Sequence, residues 1–296
     1  MKTKQVITHF VFSAIIPVVL FIACVPKNIP PPPKPAKVAI VLGAGAAKGF
    51  AHIGVLKVLE AQKIPIHMVV GTSVGSLIGS LYAYGYDPFK LQSIALGIQR
   101  DDLVDLGFPN NGFVKGERLE NYINRMVNKT PIEGFRIPFH AVVTDIQTGQ
   151  EVVFGTGNAG MAVRASCSVP GVFQPERIGG KTYVDGGLVS PVAVDVARQY
   201  GADVVIAVDI STGLNTSLPQ STIDTIFQSI DIMYAKISQL QIPRADILIK
   251  PMVGQIGPAD FTKRNEAILE GEKAATAAIP AINAILAKLR QEGRLP

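Results

Sequence analysis

The sequence predicts an α/β fold with a mainly parallel central sheet. Short apolar stretches typical of buried strands occur at residues 37–42, 66–70 and 202–209. The first two are each followed by a stretch with helical periodicity, at residues 50–60 and 76–83. Alternation of this kind is typical of parallel strands connected by helices. The part of the chain that begins at residue 37, about 260 residues, is long enough to bury one large core.

The first residues are expected to lie outside this fold. Two lysines precede a mostly apolar stretch at residues 6–22, which is the layout of a secretory signal peptide, and we place that peptide at residues 1–23. Cys24 follows a small residue, as in a bacterial lipobox, where the cysteine is lipidated and becomes the mature N-terminus. Phe21 stands where leucine is usual in that motif. An ordinary cleavage site and a signal anchor are the alternatives.

Residues 24–36 are predicted to be the lipidated cysteine and a proline-rich linker. Prolines at positions 26, 30–33 and 35 favour an extended, semi-rigid chain that cannot form a packed core. A lipid on Cys24 would attach the protein to a membrane of the bacterial cell envelope. Val25 is not the aspartate that commonly retains such proteins at the inner membrane. We therefore expect the outer membrane, with the folded domain at residues 37–296 facing the periplasm unless it is exported to the surface.

A glycine-rich loop joins the first predicted strand to the first predicted helix, and its sequence is Gly43-Ala44-Gly45-Ala46-Ala47-Lys48-Gly49. Such a loop exposes backbone N–H groups, and the helix N-terminus adds positive potential. A dinucleotide site requires a third glycine where Lys48 stands, and an acidic residue about 20 residues later. A phosphate-binding P-loop requires Ser or Thr after the lysine, where Gly49 stands. An oxyanion hole requires only the N–H groups, so that interpretation remains.

A serine between two glycines follows the second predicted strand, in the pentapeptide Gly71-Thr72-Ser73-Val74-Gly75. In this pattern the serine lies on a tight strand-to-helix turn, with its hydroxyl exposed as a nucleophile. The turn crowds the residues two before and two after the serine, so both must lack a side chain. We predict that Ser73 is the nucleophile. A glycine-rich packing turn is the alternative.

Histidine is not well placed to act as the base for this serine. The four histidines are His9, His52, His67 and His140. An α/β-hydrolase places its histidine after the serine and the acid in sequence, but no histidine follows residue 140. His140 itself lies in a strand-like stretch rather than in a late catalytic loop. The usual triad is therefore not expected.

A carboxylate is the better candidate for the base. Asp185 ends a short predicted strand, and Gly186 and Gly187 after it let the backbone turn away. A Ser–Asp dyad can work if partial desolvation raises the pKa of the carboxyl group and an oxyanion hole stabilises the developing charge. An ordinary Asp-Gly-Gly turn is the alternative.

Charge and composition argue against a nucleic-acid partner. The formal net charge is +5, and no basic stretch interleaved with aromatic residues is present. The only cysteines are Cys24 and Cys167, so a lipid on Cys24 would leave one thiol and no internal disulfide. Nothing in the sequence indicates an oligomeric state.

Together, these motifs resemble the patatin-like phospholipases, also called patatin-like acyl hydrolases. The resemblance rests on the glycine-rich loop, the serine pentapeptide, Asp185-Gly186-Gly187 and two further stretches at residues 143–149 and 164–175. It is close over residues 37–209 and looser through a helical C-terminal part that extends to residue 296. Ala44, Lys48 and Gly187 stand where the family commonly has glycine, arginine and alanine, and none of these departures removes a reacting atom.

The resemblance implies a three-layer α/β/α fold, a Ser73–Asp185 dyad without histidine, and an oxyanion hole in the glycine-rich loop. It implies no metal and no cofactor. The expected activity is that of a bacterial lipoprotein-type phospholipase or lipid esterase, which releases fatty acid from a lipid ester through an acyl-serine intermediate. A non-lipid carboxylesterase or thioesterase is one alternative, and a catalytically idle scaffold of the envelope is another.

Overall fold

A computed structural model describes residues 32–107, 111–211 and 218–296. The predicted signal peptide and Cys24 lie outside these residues. The described residues from Lys34 onward group into one compact unit. No helix within the described ranges has both the length and the apolarity needed to cross a bilayer.

The described part of the chain alternates strands and helices, as the sequence predicted. The strands are β1 (Val38–Leu42), β2 (Met68–Thr72), β3 (Phe139–Asp145), β4 (Glu151–Phe154), β5 (Glu176–Ile178), β6 (Lys181–Asp185), β7 (Val204–Val208) and β8 (Ile247–Ile249). The helices are α1 (Phe50–Ala61), α2 (Val74–Tyr84), α3 (Pro88–Gly97), α4 (Arg100–Leu103), α5 (Glu117–Met126), α6 (Ala159–Ser166), α7 (Val194–Gln199), α8 (Thr222–Gln241) and α9 (Arg264–Gln291).

All of these strands belong to one mixed sheet. Its order is β5–β6–β3–β2–β1–β7–β8, and β4 also pairs with β3. Strands β8, β7, β1, β2 and β3 are parallel to one another, as predicted. Strands β4, β6 and β5 extend the sheet in antiparallel pairings, which the sequence did not predict. The parallel half is the part built from strands and crossover helices.

Strand β1 is buried on both of its faces. Val38, Ile40 and Leu42 pack in the larger hydrophobic core, together with residues of α1, α2 and α9. Ala39 and Val41 pack in a second core, together with residues of α7. Successive side chains of a strand point to opposite faces of the sheet, so helices cover both faces. The three-layer α/β/α arrangement is confirmed.

The long C-terminal helix α9 crosses α1 at very short range. A Cβ atom on Gly54 of α1 would lie 1.9 Å from the carbonyl oxygen of Ile268, and one on Gly271 would lie 2.0 Å from that of Ala51. These two glycines therefore allow the backbones of the two helices to touch. The contact fixes α1, and with it the glycine-rich loop that leads into α1.

Candidate active site

Ser73 lies at the junction of β2 and α2 in a strained backbone conformation. Its φ is 55° and its ψ is −126°, a region that residues with a side chain rarely occupy. The Ser73 N–H donates to Ser166 Oγ at 2.9 Å, and Ser76 Oγ donates to the Ser73 carbonyl oxygen at 2.6 Å. These hydrogen bonds help to hold the turn that presents the serine at the start of the helix.

The two glycines of the pentapeptide leave room for this turn. A Cβ atom on Gly71 would lie 2.5 Å from the carbonyl oxygen of Gly75, so these residues crowd each other as predicted. A Cβ atom on Gly75 would also lie 2.0 Å from the carbonyl oxygen of Leu42, at the end of β1. The turn is therefore pressed against the start of the glycine-rich loop.

The other two residues of the pentapeptide connect it to neighbouring elements. Thr72 Oγ1 donates to the carbonyl oxygen of Ser190 at 2.9 Å. The Val74 side chain packs against Gly49, where an added Cβ atom would lie 2.3 Å from a Val74 methyl carbon. The serine turn and the glycine-rich loop are thus in direct contact.

The sheet brings Ser73 and Asp185 together. Thr72, the last residue of β2, pairs with Val142 of β3, and Asp185, the last residue of β6, pairs with Val143. Adjacent residues of β3 therefore hold the ends of the two strands that carry the predicted dyad. This proximity depends on the antiparallel β3–β6 pairing.

The Asp185 carboxyl group is fully buried and has one oxygen free. Oδ1 accepts hydrogen bonds from the Gly187 N–H at 2.7 Å and from the Tyr234 hydroxyl at 2.9 Å. Oδ2 accepts none from the described residues. Burial raises the pKa of Asp185 to about 6, although the Ser73 hydroxyl, the Gly187 N–H and the Tyr234 hydroxyl lower it. The Ser73 hydroxyl thus lies close enough to affect the carboxyl group without completing a hydrogen bond to Oδ2.

Both glycines after Asp185 are required by close packing. A Cβ atom on Gly186 would lie 2.2 Å from the carbonyl oxygen of Val142. One on Gly187 would lie 2.3 Å from the Tyr234 ring. Tyr234, on α8, was missed by the sequence analysis, and the glycine at position 187 in place of the common alanine is the only sequence signal for it.

The glycine-rich loop offers fewer free N–H groups than its sequence suggests. The N–H groups of Gly43, Ala44, Ala47 and Lys48 donate to backbone oxygens of Val208, Pro191, Pro258 and Gly45, at 3.1, 2.9, 3.1 and 3.1 Å respectively. Gly49 lies within the short 3₁₀ helix that spans Ala46–Gly49. The N–H groups of Gly45 and Ala46 donate to no acceptor among the described residues. Of the N–H groups in the predicted oxyanion loop, these two therefore remain available to a ligand.

None of the histidines in the described residues forms a hydrogen bond with Ser73 or Asp185. His52 is fully buried, and its Nε2 lies 2.8 Å from the Gly43 carbonyl oxygen, so Nε2 carries the proton. Burial lowers the pKa of His52 to about 4, and burial does the same for His140. His67 Nδ1 accepts a hydrogen bond from the Val38 N–H at 3.0 Å. His9 lies outside the described residues.

An apolar cavity of about 470 Å³ begins at Ser73. Its wall is formed almost wholly by aliphatic and aromatic side chains, with Arg100, Tyr122 and Cys167 as the other members that carry a polar atom or thiol. Leu106 and Phe113 line it and are 74% and 45% exposed, so they mark its opening. The volume is in the range of about 300–1,000 Å³ that is usual for ligand sites. The cavity suits an apolar ligand.

No metal centre is suggested by the described ranges, where no three His, Cys, Asp or Glu side chains cluster as ligands would.

Comparison with solved structures places the fold. The chain resembles VipD from Legionella pneumophila with a TM-score of 0.58, at 13% sequence identity, over 85% of this chain and 67% of that one. At this level of identity the likeness concerns the fold alone.

Comparison with curated sequences gives closer likenesses. The chain is 28% identical over 293 residues to the lysophospholipase NTE1 of Pyricularia oryzae, a match that covers 88% of this chain and 19% of that protein. It is 34% identical over 178 residues to an uncharacterised NTE family protein of Mycobacterium bovis, covering 59% of this chain and 49% of the relative. The matches therefore span no more than about half the length of these relatives.

The sequence profile described as "Patatin-like phospholipase" matches residues 40–198, which include the glycine-rich loop, Ser73 and Asp185. Because this match covers more than half of the chain, and because the fold agrees with it, the chain belongs to the patatin-like phospholipase family.

Proposed function

We propose that this protein is a lipid ester hydrolase that releases a fatty acid through an acyl-serine intermediate on Ser73, with Asp185 as the base. One observation carries the proposal. A strained serine lies beside a buried carboxylate with a free oxygen, and that serine opens onto an apolar cavity of about 470 Å³.

In the first step, Ser73 Oγ attacks the ester carbonyl carbon while Asp185 Oδ2 takes the hydroxyl proton. The new Oγ–C bond gives a tetrahedral intermediate with negative charge on the former carbonyl oxygen. The pKa of about 6 makes Asp185 a stronger base than an ordinary aspartate, yet leaves it mostly ionised at neutral pH.

The negative charge on the intermediate requires hydrogen-bond donors that are already in place. The Gly45 and Ala46 N–H groups have no acceptor within the described ranges, and Ala46 lines the same cavity as Ser73. Val74, at the first position of α2, also lines the cavity, and the N-terminus of α2 adds positive potential. Preorganised donors of this kind are commonly the largest contribution to such a step.

The intermediate collapses when the ester C–O bond breaks and the alcohol leaves with the proton from Asp185. Asp185 then takes a proton from water, and the resulting hydroxide attacks the acyl-serine carbonyl carbon. Breakdown of the second tetrahedral intermediate releases the fatty acid, and the proton on Asp185 returns to Ser73 Oγ. Both halves use the same base and the same oxyanion donors.

The cavity supports a lipid rather than a small polar ester as the substrate. Binding of an acyl chain would remove apolar surface of both the chain and the cavity wall from water. This burial would stabilise the complex by about 25 cal/mol per Å². A relative of this chain is named a lysophospholipase, which agrees with a lipid substrate that carries an acyl chain.

The test compares Ser73→Ala with a matched control, Ser93→Ala. Ser93 is exposed on α3, and its hydroxyl donates to the Phe89 carbonyl oxygen. We expect Ser73→Ala to lose both covalent labelling by a fluorophosphonate and release of fatty acid from lysophosphatidylcholine. Ser93→Ala should keep both. Labelling of Ser73→Ala at the wild-type rate would contradict the assignment of the nucleophile.

The substrates themselves separate the alternatives. Wild-type protein that cleaves a soluble p-nitrophenyl ester but neither lysophosphatidylcholine nor diacyl phospholipid would be a non-lipid esterase. Wild-type protein that is not labelled by the fluorophosphonate would be an idle scaffold.

We further propose that Cys24 carries lipid and anchors the protein in the envelope, at the outer membrane and facing the periplasm. The support is the sequence alone: the signal-like residues 1–23, the small residue before Cys24 and the proline-rich linker. Intact-mass measurement of the mature N-terminus, and fractionation of cells that express wild type or Cys24→Ser, test this. If the protein were in the membrane fraction with Cys24 unmodified, a signal anchor would be the remaining explanation for its attachment.

A further inference from the structure

We propose that Tyr234 is a positioning residue of the dyad. Its hydroxyl donates a hydrogen bond to Oδ1 of Asp185 and thereby directs Oδ2 to Ser73. The inference rests on the proposed role of Asp185 as the base and names a third member of that site.

The two carboxylate oxygens of Asp185 have different surroundings. The Tyr234 hydroxyl lies 2.9 Å from Oδ1, on the same oxygen that accepts the Gly187 N–H at 2.7 Å. A carboxylate held by two donors on one oxygen cannot rotate freely about its Cβ–Cγ bond. No donor from the described part of the chain reaches Oδ2, which remains available for the Ser73 proton.

Tyr234 occupies space that only a glycine at position 187 leaves open. A Cβ atom there would lie 2.3 Å from Cζ and 2.5 Å from the hydroxyl oxygen of Tyr234. Gly187 does not have a positive φ, so its backbone conformation is open to alanine. The glycine is therefore required by the tyrosine ring rather than by the turn.

Helix α8 is tied to the active site on both sides of Tyr234. Asp231, one turn earlier, forms an ion pair with Lys48 of the glycine-rich loop at 2.9 Å, and the Lys48 side chain is only 3% exposed. Gln241, two turns later, donates to Ser190 Oγ at 2.9 Å and accepts from the Val192 N–H at 3.1 Å. These contacts leave the phenol little freedom to move away from Asp185.

The phenol acts only as a hydrogen-bond donor to Asp185. Burial, followed by the charge of Asp185, raises the pKa of Tyr234 well above its ordinary value of 10, so the hydroxyl stays protonated. Proton transfer to Asp185 is then directed to Oδ2, because Oδ1 already faces two donors.

Two other titratable groups of the described residues lie near Asp185 and Tyr234. Cys167, at the end of α6, has its thiol pKa raised by burial and by the charge of Asp185. Asp231 faces Tyr234 and is paired with Lys48. The fall of activity at acidic pH, the acidic limb of the pH profile, therefore reports the protonation of Asp185. The hydrogen bond from Tyr234 helps to set the pH at which this limb lies.

The experiment measures kcat/KM for a soluble p-nitrophenyl ester from pH 4.5 to pH 9 in wild type and Tyr234→Phe. Loss of a hydrogen bond to a charged group should move the acidic limb up by about one to two pH units, from near 6 in wild type. At the alkaline plateau kcat should fall about tenfold through lost orientation of Oδ2. KM should stay near its wild-type value, because Tyr234 is not part of the cavity wall.

Tyr86→Phe is the matched control. Tyr86 is a partly buried tyrosine whose hydroxyl also donates a hydrogen bond, at 2.8 Å to the Met126 carbonyl oxygen, with no contact to the dyad. Its pH profile should match wild type.

The outcomes separate this inference from the proposed function. Wild type that neither hydrolyses the ester nor reacts with a fluorophosphonate would overturn the function. An active wild type whose acidic limb stays in place in a folded Tyr234→Phe variant would overturn the positioning role alone. An increase in KM with no change in kcat or in the limb would also do so, since it would show that Tyr234 only shapes the substrate site.

Discussion

Replacement of Asp185 by asparagine should inactivate the protein and yet stabilise it at alkaline pH. The amide cannot take the Ser73 proton, so turnover is lost. Its Oδ1 can still accept from the Gly187 N–H and the Tyr234 hydroxyl, and Nδ2 can donate to Ser73 Oγ. The substitution therefore removes a buried charge without removing the hydrogen bonds that the structure shows at Oδ1.

The sign and size of this effect follow from the pKa of Asp185. Burial raises it from 3.8 to about 6, so the folded protein binds a proton more tightly than the unfolded chain does. Ionised Asp185 therefore lowers the free energy of unfolding, and the loss develops as the pH rises from 3.8 through 6. Linkage gives a loss of about 3 kcal/mol at pH 8, of which about 1.4 kcal/mol develops between pH 5 and pH 8.

Urea unfolding of wild type and Asp185→Asn at pH 5 and pH 8 measures this difference. The stability advantage of the variant should be greater at pH 8 by about 1.4 kcal/mol. Comparison of the two proteins at each pH cancels every other titrating group.

Asp203→Asn is the control with the opposite pKa direction. Burial alone would raise the pKa of Asp203, but hydrogen bonds from Lys37 and Arg294 lower it below its ordinary value. The stability that Asp203 contributes is therefore fully present above its unfolded pKa and is lost only in more acidic solution. Between pH 5 and pH 8 the effect of Asp203→Asn should be constant. The same constant difference for Asp185→Asn would refute the reasoning, because it would show that Asp185 is ionised at both pH values.

Two further predictions concern the supports of the site. Gly187→Ala should lower kcat, because the added methyl group displaces Tyr234. Gly97→Ala is the control and should leave activity unchanged, because an added Cβ atom there meets nothing within 4 Å. Steady-state kinetics checks this, and a Gly187→Ala variant as active as Gly97→Ala would contradict it. His52→Ala should lower kcat at least about tenfold through displacement of Gly43 and the oxyanion loop, and His52→Gln, which keeps an N–H near Nε2, should restore most of it. If the pH profile of His52→Gln lost its acidic limb, His52 and not Asp185 would be the titrating base.

The sequence was informative wherever structure depends on near neighbours. The strained turn at Ser73 is produced by steric requirements within five residues, so the pentapeptide predicted it. The alternation of short apolar stretches with stretches of helical periodicity is likewise a local pattern, and it predicted an α/β fold. The short strand that ends at Asp185 was predicted, but the antiparallel pairings of β4, β5 and β6 were not, because they join segments that are not marked as partners by any local pattern.

Features that the sequence did not predict depend on contacts between residues far apart along the chain. The glycine-rich loop was predicted as a source of oxyanion donors, but acceptors from Val208, Pro191 and Pro258 occupy several of its N–H groups. Those acceptors lie far along the chain, so the sequence of the loop could not show that Gly45 and Ala46 are the ones whose N–H groups find no acceptor among the described residues.

By itself, the sequence determined the strand-turn-helix at Ser73, the glycine-rich loop and the absence of a late histidine, since each is a matter of residue types at short spacing. Only the tertiary structure decided that Asp185 lies beside Ser73, through adjacent pairings on β3, and that the Tyr234 hydroxyl donates to it. It also decided the raised pKa of Asp185, since the carboxyl group is buried only in the folded chain, where Ser73, Gly187 and Tyr234 come close to it. Hydrogen-bond partners and desolvation are collective properties of elements that meet only when the chain folds.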